Sequence, residues 1–404
     1  MLKDKLKRYE GGKDLLKLIK NGELYAPEYL GKKDVITAGG KIAFIKEPGF
    51  SFPSEYLSET IDADGQAVFP GFIDSHVHIM GGGGEGGYKT RTPELQLSSA
   101  IKGGVTAIVG VIGTDGTTRT MSALLAKARA LEEEGISCYV HTGSYQIPVR
   151  TLTGKIEDDL ILIDKVIGCG EIAISDHRSS QPEWQEMAKI ASAARIGGML
   201  SGKAGIVNVH IGDGKGKLDL LYKVCEETDI PIKTFHPTHI NRNPHLFEAG
   251  IEFAKNGGLV DFTTSTIQRF LDQGEVKCSR GLKRMLDEGV PLENITFTSD
   301  AQASLPEFNT DGELTGMQIG NITSLYNEVR DAILIENVPA EKAIQVITSN
   351  PASILKLTHK GRIAEGMDAD LVLADKESLH IKTVLARGQV MMKEGKVLVK
   401  GTFE

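Results

Sequence analysis

The chain has no apolar run long enough to cross a bilayer, although 40% of its 404 residues are hydrophobic. Its first ten residues, M-L-K-D-K-L-K-R-Y-E, are charged, and neither an apolar stretch nor a small-residue cleavage site follows them. This start is not typical of a secretory signal, so we expect a cytoplasmic protein that makes no membrane contact. The length allows a large buried core and favours one large domain with a small one.

Cysteine is scarce, and basic residues are outnumbered by acidic ones. The four cysteines are far apart and show no C-x-x-C spacing. This pattern favours buried reduced thiols over disulfides or a structural zinc site. The net charge of −8 argues against nucleic acid or an anionic membrane as a partner.

Both ends of the chain have β-like patterns. Between residues 15 and 68, and again over the last forty or so, glycine turns separate brief apolar stretches. We therefore predict one small β-sandwich domain formed from both chain termini, residues 1–69 and 356–404. Residues 1 to about 13 are expected to form a loose helix or tail.

Strands and helices alternate in the middle of the chain, residues 70–355. The first strand ends at H-V-H, and seven more apolar strands are predicted at 106–113, 137–143, 171–175, 205–210, 232–239, 258–264 and 295–300. Amphipathic helices are predicted between them, for example at 121–134, 183–200 and 243–256. This α/β pattern indicates a (β/α)8 TIM-type barrel. An open doubly wound sheet is the alternative, but no G-x-G-x-x-G follows the first strand.

The stretch P-G-F-I-D-S-H-V-H-I-M-G-G-G-G-E, residues 70–85, contains half of a metal site. Side chains alternate along a strand, so His76 and His78 lie on the same face. Neutral imidazole is a common metal ligand, and a catalytic zinc also needs other ligands and an open position for water. In a barrel these would come from the C-terminal ends of other strands.

Four further residues that can bind metal lie on or near these strands: Glu171 at the start of the fourth, His210 on the fifth, His239 on the sixth and Asp300 on the eighth. Each of the histidines, taken alone, would more often be an ordinary core or surface residue. Together they fit two divalent ions about 3.5–4 Å apart that share a water and lower its pKa.

The ligands divide naturally between the two ions. The first-strand histidines with Asp300 suit one ion, and His210 with His239 suits the other. Asp300 could also pass a proton from the attacking water to the leaving amine. Its plainer role would be the N-cap of a helix.

These motifs resemble the amidohydrolase superfamily of metal-dependent hydrolases. Over nearly its whole length the chain resembles, more narrowly, the isoaspartyl dipeptidase family. The specific segments are H-V-H-I-M-G-G-G-G-E, G-V-I-G-T-D-G, H-T-G-S-Y, I-A-I-S-D-H-R-S, P-T-H-I-N-R-N and V-K-G-T-F-E. The resemblance implies hydrolysis of β-aspartyl (isoaspartyl) dipeptides to aspartate and a free amino acid. It also implies a homo-oligomer, an octamer built from dimers.

The resemblance implies three charged contacts with the substrate. Glu85, on the glycine loop, would pair with the α-ammonium group. Arg178 and Arg242 would bind the two carboxylates through planar, bidentate donor geometry. The plainer alternatives are a surface carboxylate for Glu85 and ordinary surface salt bridges for the arginines.

The resemblance also implies roles for three hydroxyl groups. Tyr145 would donate to the carbonyl oxygen as negative charge develops there. Thr114 and Ser304 would complete the pocket. The alternatives are a core tyrosine and turn or capping roles for the other two.

The chain has no lysine at the position where the family usually has the carbamylated lysine that bridges its two metals. Alignment on I-S-D-H-R gives Glu171 at that position, and the nearest lysine, Lys165, lies six residues upstream in a predicted helix. Because a glutamate has the charge and the two oxygens of a carbamate, we predict that Glu171 bridges two ions, with zinc as the expected metal. Gly170 would give the backbone freedom that the shorter side chain requires. A single-metal site or a surface glutamate at a strand start are the alternatives.

Two other functions stay open. Another amidohydrolase, acting on N-acyl amino acids or cyclic amides, would not need Glu85 together with two arginines. A non-catalytic assembly protein on the same barrel is the second, although metal ligands decay in that class and all of them are present here.

Overall fold

The computed structural model describes residues 16–50, 52–308 and 314–404. The helix or tail predicted for residues 1 to about 13 lies outside the described residues. Five strands come first: β1 (Leu16–Tyr25), β2 (Tyr29–Ala38), β3 (Lys41–Lys46), β4 (Leu57–Asp62) and β5 (Gln66–Pro70).

Eight strands then form the barrel: β6 (Phe72–Val77), β7 (Val105–Gly110), β8 (Ser137–Thr142), β9 (Val166–Ile174), β10 (Ile206–Ile211), β11 (Phe235–Thr238), β12 (Val260–Thr263) and β13 (Ile295–Thr298). Strands β6 to β11 form a parallel ladder, and β12 pairs in parallel with β13. The ring closes where Val77 bridges Ala301 and the His78 amide donates to the Ala301 carbonyl at 3.0 Å. The predicted (β/α)8 barrel is confirmed.

The helices are α1 (Leu97–Lys102), α2 (Met121–Glu133), α3 (Ile156–Leu162), α4 (Trp184–Ser201), α5 (Asp219–Glu227), α6 (Pro244–Lys255), α7 (Gln268–Asp272), α8 (Cys278–Asp287), α9 (Ser324–Leu334), α10 (Ala340–Ala343) and α11 (Ser349–Ile354). Each of the three helices that the sequence predicts begins after a residue whose side chain caps it. The side chains of Thr120 and Asn243 each accept a bond from a backbone amide, and Glu183 forms a capping box with Glu186. No helix in the described part of the chain is long and apolar enough to span a membrane.

A hairpin, β14 (Ser304–Phe308) and β15 (Leu314–Ile319), follows the last barrel strand. The final strands are β16 (Leu371–Asp375), β17 (Ile381–Ala386), β18 (Gln389–Lys393) and β19 (Lys396–Val397). β16 pairs with β5 and so joins both termini in one nine-stranded sheet. Ile42 on β3 and Leu385 on β17 lie in one hydrophobic cluster. The sheet is therefore curved enough to bring these distant strands together. The predicted β domain from both termini is confirmed.

Candidate active site

The six residues predicted as metal ligands converge at the C-terminal rim of the barrel. Two sets of ligand atoms each lie within 4.8 Å of one another. The first set is His76, His78 and Asp300, and the second is His76, Glu171 and His239. The first matches the predicted set for one ion. In the second, His76 stands where His210 was expected.

Glu171 lies at the centre of this ring and is fully buried. Its Oε2 is 3.2 Å from His76 Nε2, 3.4 Å from His210 Nδ1 and 3.8 Å from His239 Nε2. Its Oε1 is 3.6 Å from His78 Nε2. One carboxylate therefore faces all four histidines. The alternative of a surface glutamate is wrong.

The position of Glu171 within its strand differs from the prediction. β9 begins at Val166, five residues before the predicted start, so Glu171 lies inside the strand. The register between β9 and β10 shifts at this point by one extra residue in β9. Gly170 there has φ +137°, and a Cβ on it would lie 2.4 Å from the Asn208 carbonyl oxygen. This bulge at a glycine directs Glu171 into the ring.

Asp300 completes the ring from the last barrel strand. Its Oδ1 is 3.1 Å from His78 Nε2 and 3.7 Å from His76 Nε2. Asp300 has φ +52°, and His239 has φ +67°. Non-glycine residues in this left-handed region are strained, and such residues are concentrated at functional sites.

A hydrogen bond fixes the tautomer of His76. Its Nδ1 lies 3.0 Å from the side-chain oxygen of Asn208. An amide oxygen only accepts, so Nδ1 carries a proton and Nε2 is the nitrogen that faces the ring.

The polar atoms of this ring fit a bound cation. His76 Nε2, both oxygens of Glu171 and Asp300 Oδ1 are buried and have no hydrogen-bond partner among the described residues. Leaving such atoms unsatisfied costs about 1–3 kcal/mol each. Burial opposes charge on His76, but the carboxylates of Glu171 and Asp300 outweigh it and raise its pKa to about 10. The site therefore attracts positive charge, as a metal site must.

Glu85 contacts three of the other predicted substrate-binding residues. It accepts hydrogen bonds from Thr114 Oγ1 at 3.0 Å and from Ser304 Oγ at 3.2 Å. Its Oε1 lies 3.5 Å from Arg178 Nη1. The loops that follow β6, β7, β9 and β13 thus meet at one carboxylate.

Tyr145 links this group to the ring of predicted metal ligands. Its hydroxyl lies 2.8 Å from His210 Nδ1, and the Arg178 guanidinium carbon lies 5.3 Å from the centre of its ring. Burial, together with the charge of Glu171, raises the pKa of Tyr145 well above its ordinary value. The phenol therefore stays protonated and able to donate.

Among the described residues, Arg242 is the predicted substrate-binding residue that makes no hydrogen bond or ion pair with this group. Its Nε donates to the Ile211 carbonyl at 3.1 Å and lies 4.0 Å from Asp213. Burial, then the charges of His210 and Arg242, lower the pKa of His239 to about 3. Arg242 is thus close enough to act on the ring electrostatically.

Sequence reasoning missed Asp176, which contacts both halves of the site. Its Oδ2 lies 3.0 Å from His210 Nε2 and 2.7 Å from Arg178 Nη2. The segment I-S-D-H-R-S could have indicated this residue, because its aspartate lies two residues after a barrel strand.

Arg119 is a second residue that the sequence did not single out. It is buried and donates to the carbonyls of Gly82 at 2.6 Å and Gly83 at 3.3 Å. It thereby holds the glycine loop that carries Glu85. Nothing in its sequence context distinguishes it from a surface arginine.

Two other buried histidines of the barrel, His141 and His236, do not belong to the ring of predicted metal ligands. Neither ring nitrogen of His141 has a hydrogen-bond partner in the described chain. Burial, then repulsion from His76, lowers the pKa of His141 to about 3. His236 Nε2 bonds instead with Thr296 Oγ1 at 2.9 Å. These rings are held neutral in the interior.

Comparison with known proteins agrees with this geometry. The crystal structure of β-aspartyl dipeptidase from Fervidobacterium islandicum AW-1, in complex with the β-Asp-Leu dipeptide, is 45% identical. The match covers 95% of this chain and 98% of that one, with a TM-score of 0.87. A second crystal structure of the β-aspartyl dipeptidase from that organism is 44% identical, with a TM-score of 0.85 and the same coverage. The resemblance to the isoaspartyl dipeptidases is confirmed.

More distant relatives match along most of the chain. The adenine deaminase of Halalkalibacterium halodurans is 26% identical over 397 residues, which are 95% of this chain. This chain spans 58% of the length of that deaminase. The profile of the Amidohydrolase family matches residues 67–403, and the chain therefore belongs to the amidohydrolase family.

Proposed function

We propose that this protein hydrolyses β-aspartyl dipeptides to aspartate and a free amino acid. The observation that carries the proposal is Glu85 beside Arg178, 3.5 Å apart at the rim of a metal-ligating ring. An acceptor for an ammonium group next to a donor for a carboxylate fits a substrate whose α-ammonium and α-carboxylate are both free. The 45% identical β-aspartyl dipeptidase, whose structure contains β-Asp-Leu, supports the same substrate class.

Substrate binding exchanges one pair of contacts for another. Glu85 and Arg178 face each other in the structure. The substrate ammonium would take the side of Glu85, and its two carboxylates would bind Arg178 and Arg242. Thr114 and Ser304, which already bond to Glu85, keep that carboxylate aimed into the pocket.

Two divalent cations, with zinc as the proposed metal, would be held by the ring and bridged by Glu171 in place of a carbamylated lysine. The ligands are His76, His78, Glu171, His210, His239 and Asp300. When bound, such ions lower the pKa of a water and polarise the substrate carbonyl.

Asp300 would transfer the proton, and Tyr145 would stabilise the charge that develops on the carbonyl oxygen. Asp300 Oδ1, unpartnered in the described structure, takes the proton of the attacking water and delivers it to the nitrogen of the departing amine. The protonated Tyr145 hydroxyl donates to the carbonyl oxygen as that oxygen gains charge. One such donor contributes about 10²–10³ to the rate.

A substrate panel tests the proposal. Zinc-loaded protein is assayed with β-aspartyl-leucine, α-aspartyl-leucine and an N-acetylated amino acid, and the released amino acids are quantified. We expect turnover of the β-aspartyl dipeptide and little of the other two. Preference for the N-acetylated compound would indicate another amidohydrolase. No turnover of any compound at full metal content would indicate a non-catalytic protein.

Metal removal tests the bridging role of Glu171. The protein is stripped with a chelator and refilled with zinc in buffer freed of carbon dioxide. We expect activity to return fully without bicarbonate, because a carboxylate needs no carbamylation. A bicarbonate requirement would mean that a lysine carbamate exists and that Glu171 is not the bridge.

Three further proposals concern the whole protein. We propose a cytoplasmic location, because the first residues are not typical of a secretory signal. We propose a homo-octameric assembly, as the resemblance to isoaspartyl dipeptidases implies. We also propose that the barrel domain comprises residues 70–355 and that residues 1–69 and 356–404 make up the β domain.

A further inference from the structure

Asp176 lies two residues after β9, and all of its acceptor positions face donors of the site. Its Oδ2 accepts from Arg178 Nη2 at 2.7 Å and faces His210 Nε2 at 3.0 Å. Its Oδ1 accepts from Arg178 Nε at 3.0 Å and from the Arg178 backbone amide at 2.8 Å. The side chain is 5% exposed, so water does not compete for these bonds.

The contact with His210 decides which ring nitrogen is free. A carboxylate only accepts, so Nε2 of His210 carries the proton and Nδ1 presents its lone pair. That lone pair faces Glu171 Oε2 at 3.4 Å and the Tyr145 hydroxyl at 2.8 Å. Without Asp176 the imidazole could take the other tautomer, which cannot bind a cation through Nδ1.

The contact with Arg178 decides which donors remain for a ligand. The bidentate pair with Asp176 uses Nε and Nη2 and leaves Nη1 directed at Glu85. A planar guanidinium held on one edge in this way keeps its other edge in a fixed direction.

Packing prevents Asp176 from moving away from these partners. Gly212, directly after β10, lies so close that a Cβ on it would be 2.5 Å from Asp176 Cβ. The residue after β10 therefore packs directly against the Cα and Cβ of Asp176.

We propose that Asp176 is a positioning residue that orients His210 for metal binding and Arg178 for binding a substrate carboxylate at the same time. The part that concerns Arg178 rests on the proposed function. The part that concerns His210 requires only that the ring binds a metal ion.

The test compares D176N with two other variants in two assays. Zinc affinity is measured by competition with a coloured chelator, and KM is measured with β-aspartyl-leucine at saturating zinc. We expect D176N to weaken one of the two zinc sites about 10- to 100-fold and also to raise KM. R178K should raise KM and leave zinc affinity unchanged. D219N, which removes an exposed charge on α5, should change neither.

A second route keeps the test decisive if D176N folds poorly. G212A displaces Asp176 without removing its charge and should produce the same pair of effects, with thermal unfolding of the metal-free proteins as the check on folding. Zinc affinity equal to wild type in both variants would overturn the proposal. A protein that cleaves no β-aspartyl dipeptide would refute the proposed function, while weaker zinc binding in D176N would still support the link to His210.

Discussion

At the scale of single residues, the contacts of Glu85 hold its carboxylate in a fixed position within the site. Two hydroxyls and one guanidinium hold the carboxylate. The Glu85 side chain is 31% exposed, so an ammonium group can reach it from solvent. This arrangement is what the proposed binding of a substrate ammonium group requires.

We expect Glu85→Gln to raise KM for β-aspartyl-leucine about 10- to 100-fold, because a charge-assisted hydrogen bond contributes about 1.5–3 kcal/mol. The value of kcat should change much less, since Glu85 does not contact the metal-ligating ring. Steady-state kinetics of the variant measure both quantities.

Glu94→Gln is the matched control for this substitution. Glu94 lies on the same segment, is exposed and pairs with Lys127 at 3.1 Å. Its variant should keep the wild-type KM. A normal KM in E85Q would refute the ammonium-binding role of Glu85.

At the scale of elements, the bulge in β9 is the feature that makes a glutamate reach the centre of the ring. The extra residue at Gly170 turns the strand, and a side chain at that position would strike the neighbouring strand. Bulges are frequent next to active sites, where they redirect one side chain.

We expect Gly170→Ala to destabilise the fold by about 1–3 kcal/mol and to lower the bound zinc. The added Cβ would lie 2.4 Å from the Asn208 carbonyl oxygen and would move Glu171 out of the ring. Thermal unfolding and metal analysis of the purified variant measure the two effects.

Gly154→Ala is the matched control, because it places a side chain on a residue with positive φ without the steric conflict expected at Gly170. Gly154 has φ +101°, and no other atom lies within 4 Å of a Cβ built on it. That variant should lose some stability and keep its zinc. Equal zinc content in both variants would contradict the role given to the bulge.

The sequence predicted the strand ends well because the histidines and Asp300 follow apolar runs. It placed Glu171 at a strand start, whereas β9 begins at Val166. The reason is physical: Gly168 and Gly170 weaken the local strand pattern, and their role appears only when β10 packs beside them.

The residues that orient the predicted metal ligands could not be predicted, for a similar reason. Asp176 and Asn208 contact histidines 34 and 132 residues away in the sequence. The left-handed backbone at His239 and Asp300 is also imposed by tertiary packing and has no glycine to mark it. Local pattern identifies the ligands, but only the closed barrel identifies what orients them.

At the scale of the whole molecule, the buried histidines make stability depend on pH. His141 has its pKa lowered to about 3 by burial, against an ordinary value of 6.5. Above pH 6.5 both the folded and the unfolded chain hold it neutral. Below pH 6.5 the unfolded chain takes up a proton that the folded chain refuses, so the free energy of unfolding falls until about pH 3.

We expect His141→Phe to remove part of this acid sensitivity. Between pH 6.5 and pH 5 the wild type should lose about 2 kcal/mol more stability than the variant. Melting temperatures of both proteins at pH 7 and pH 5, at the same zinc concentration, give the comparison. H380F, at an exposed histidine, should follow the wild type at both pH values, and an H141F protein that does the same would contradict the prediction.

The closure of the barrel at Val77 and Ala301 has a consequence for how the protein is made. A growing chain that has left the ribosome only as far as β10 already exposes His76, His78 and Glu171, yet Asp300 has not been synthesised. The set of His76, Glu171 and His239 can therefore be complete once β11 and the residue after it have been made, whereas the set of His76, His78 and Asp300 is complete only after translation of the last barrel strand.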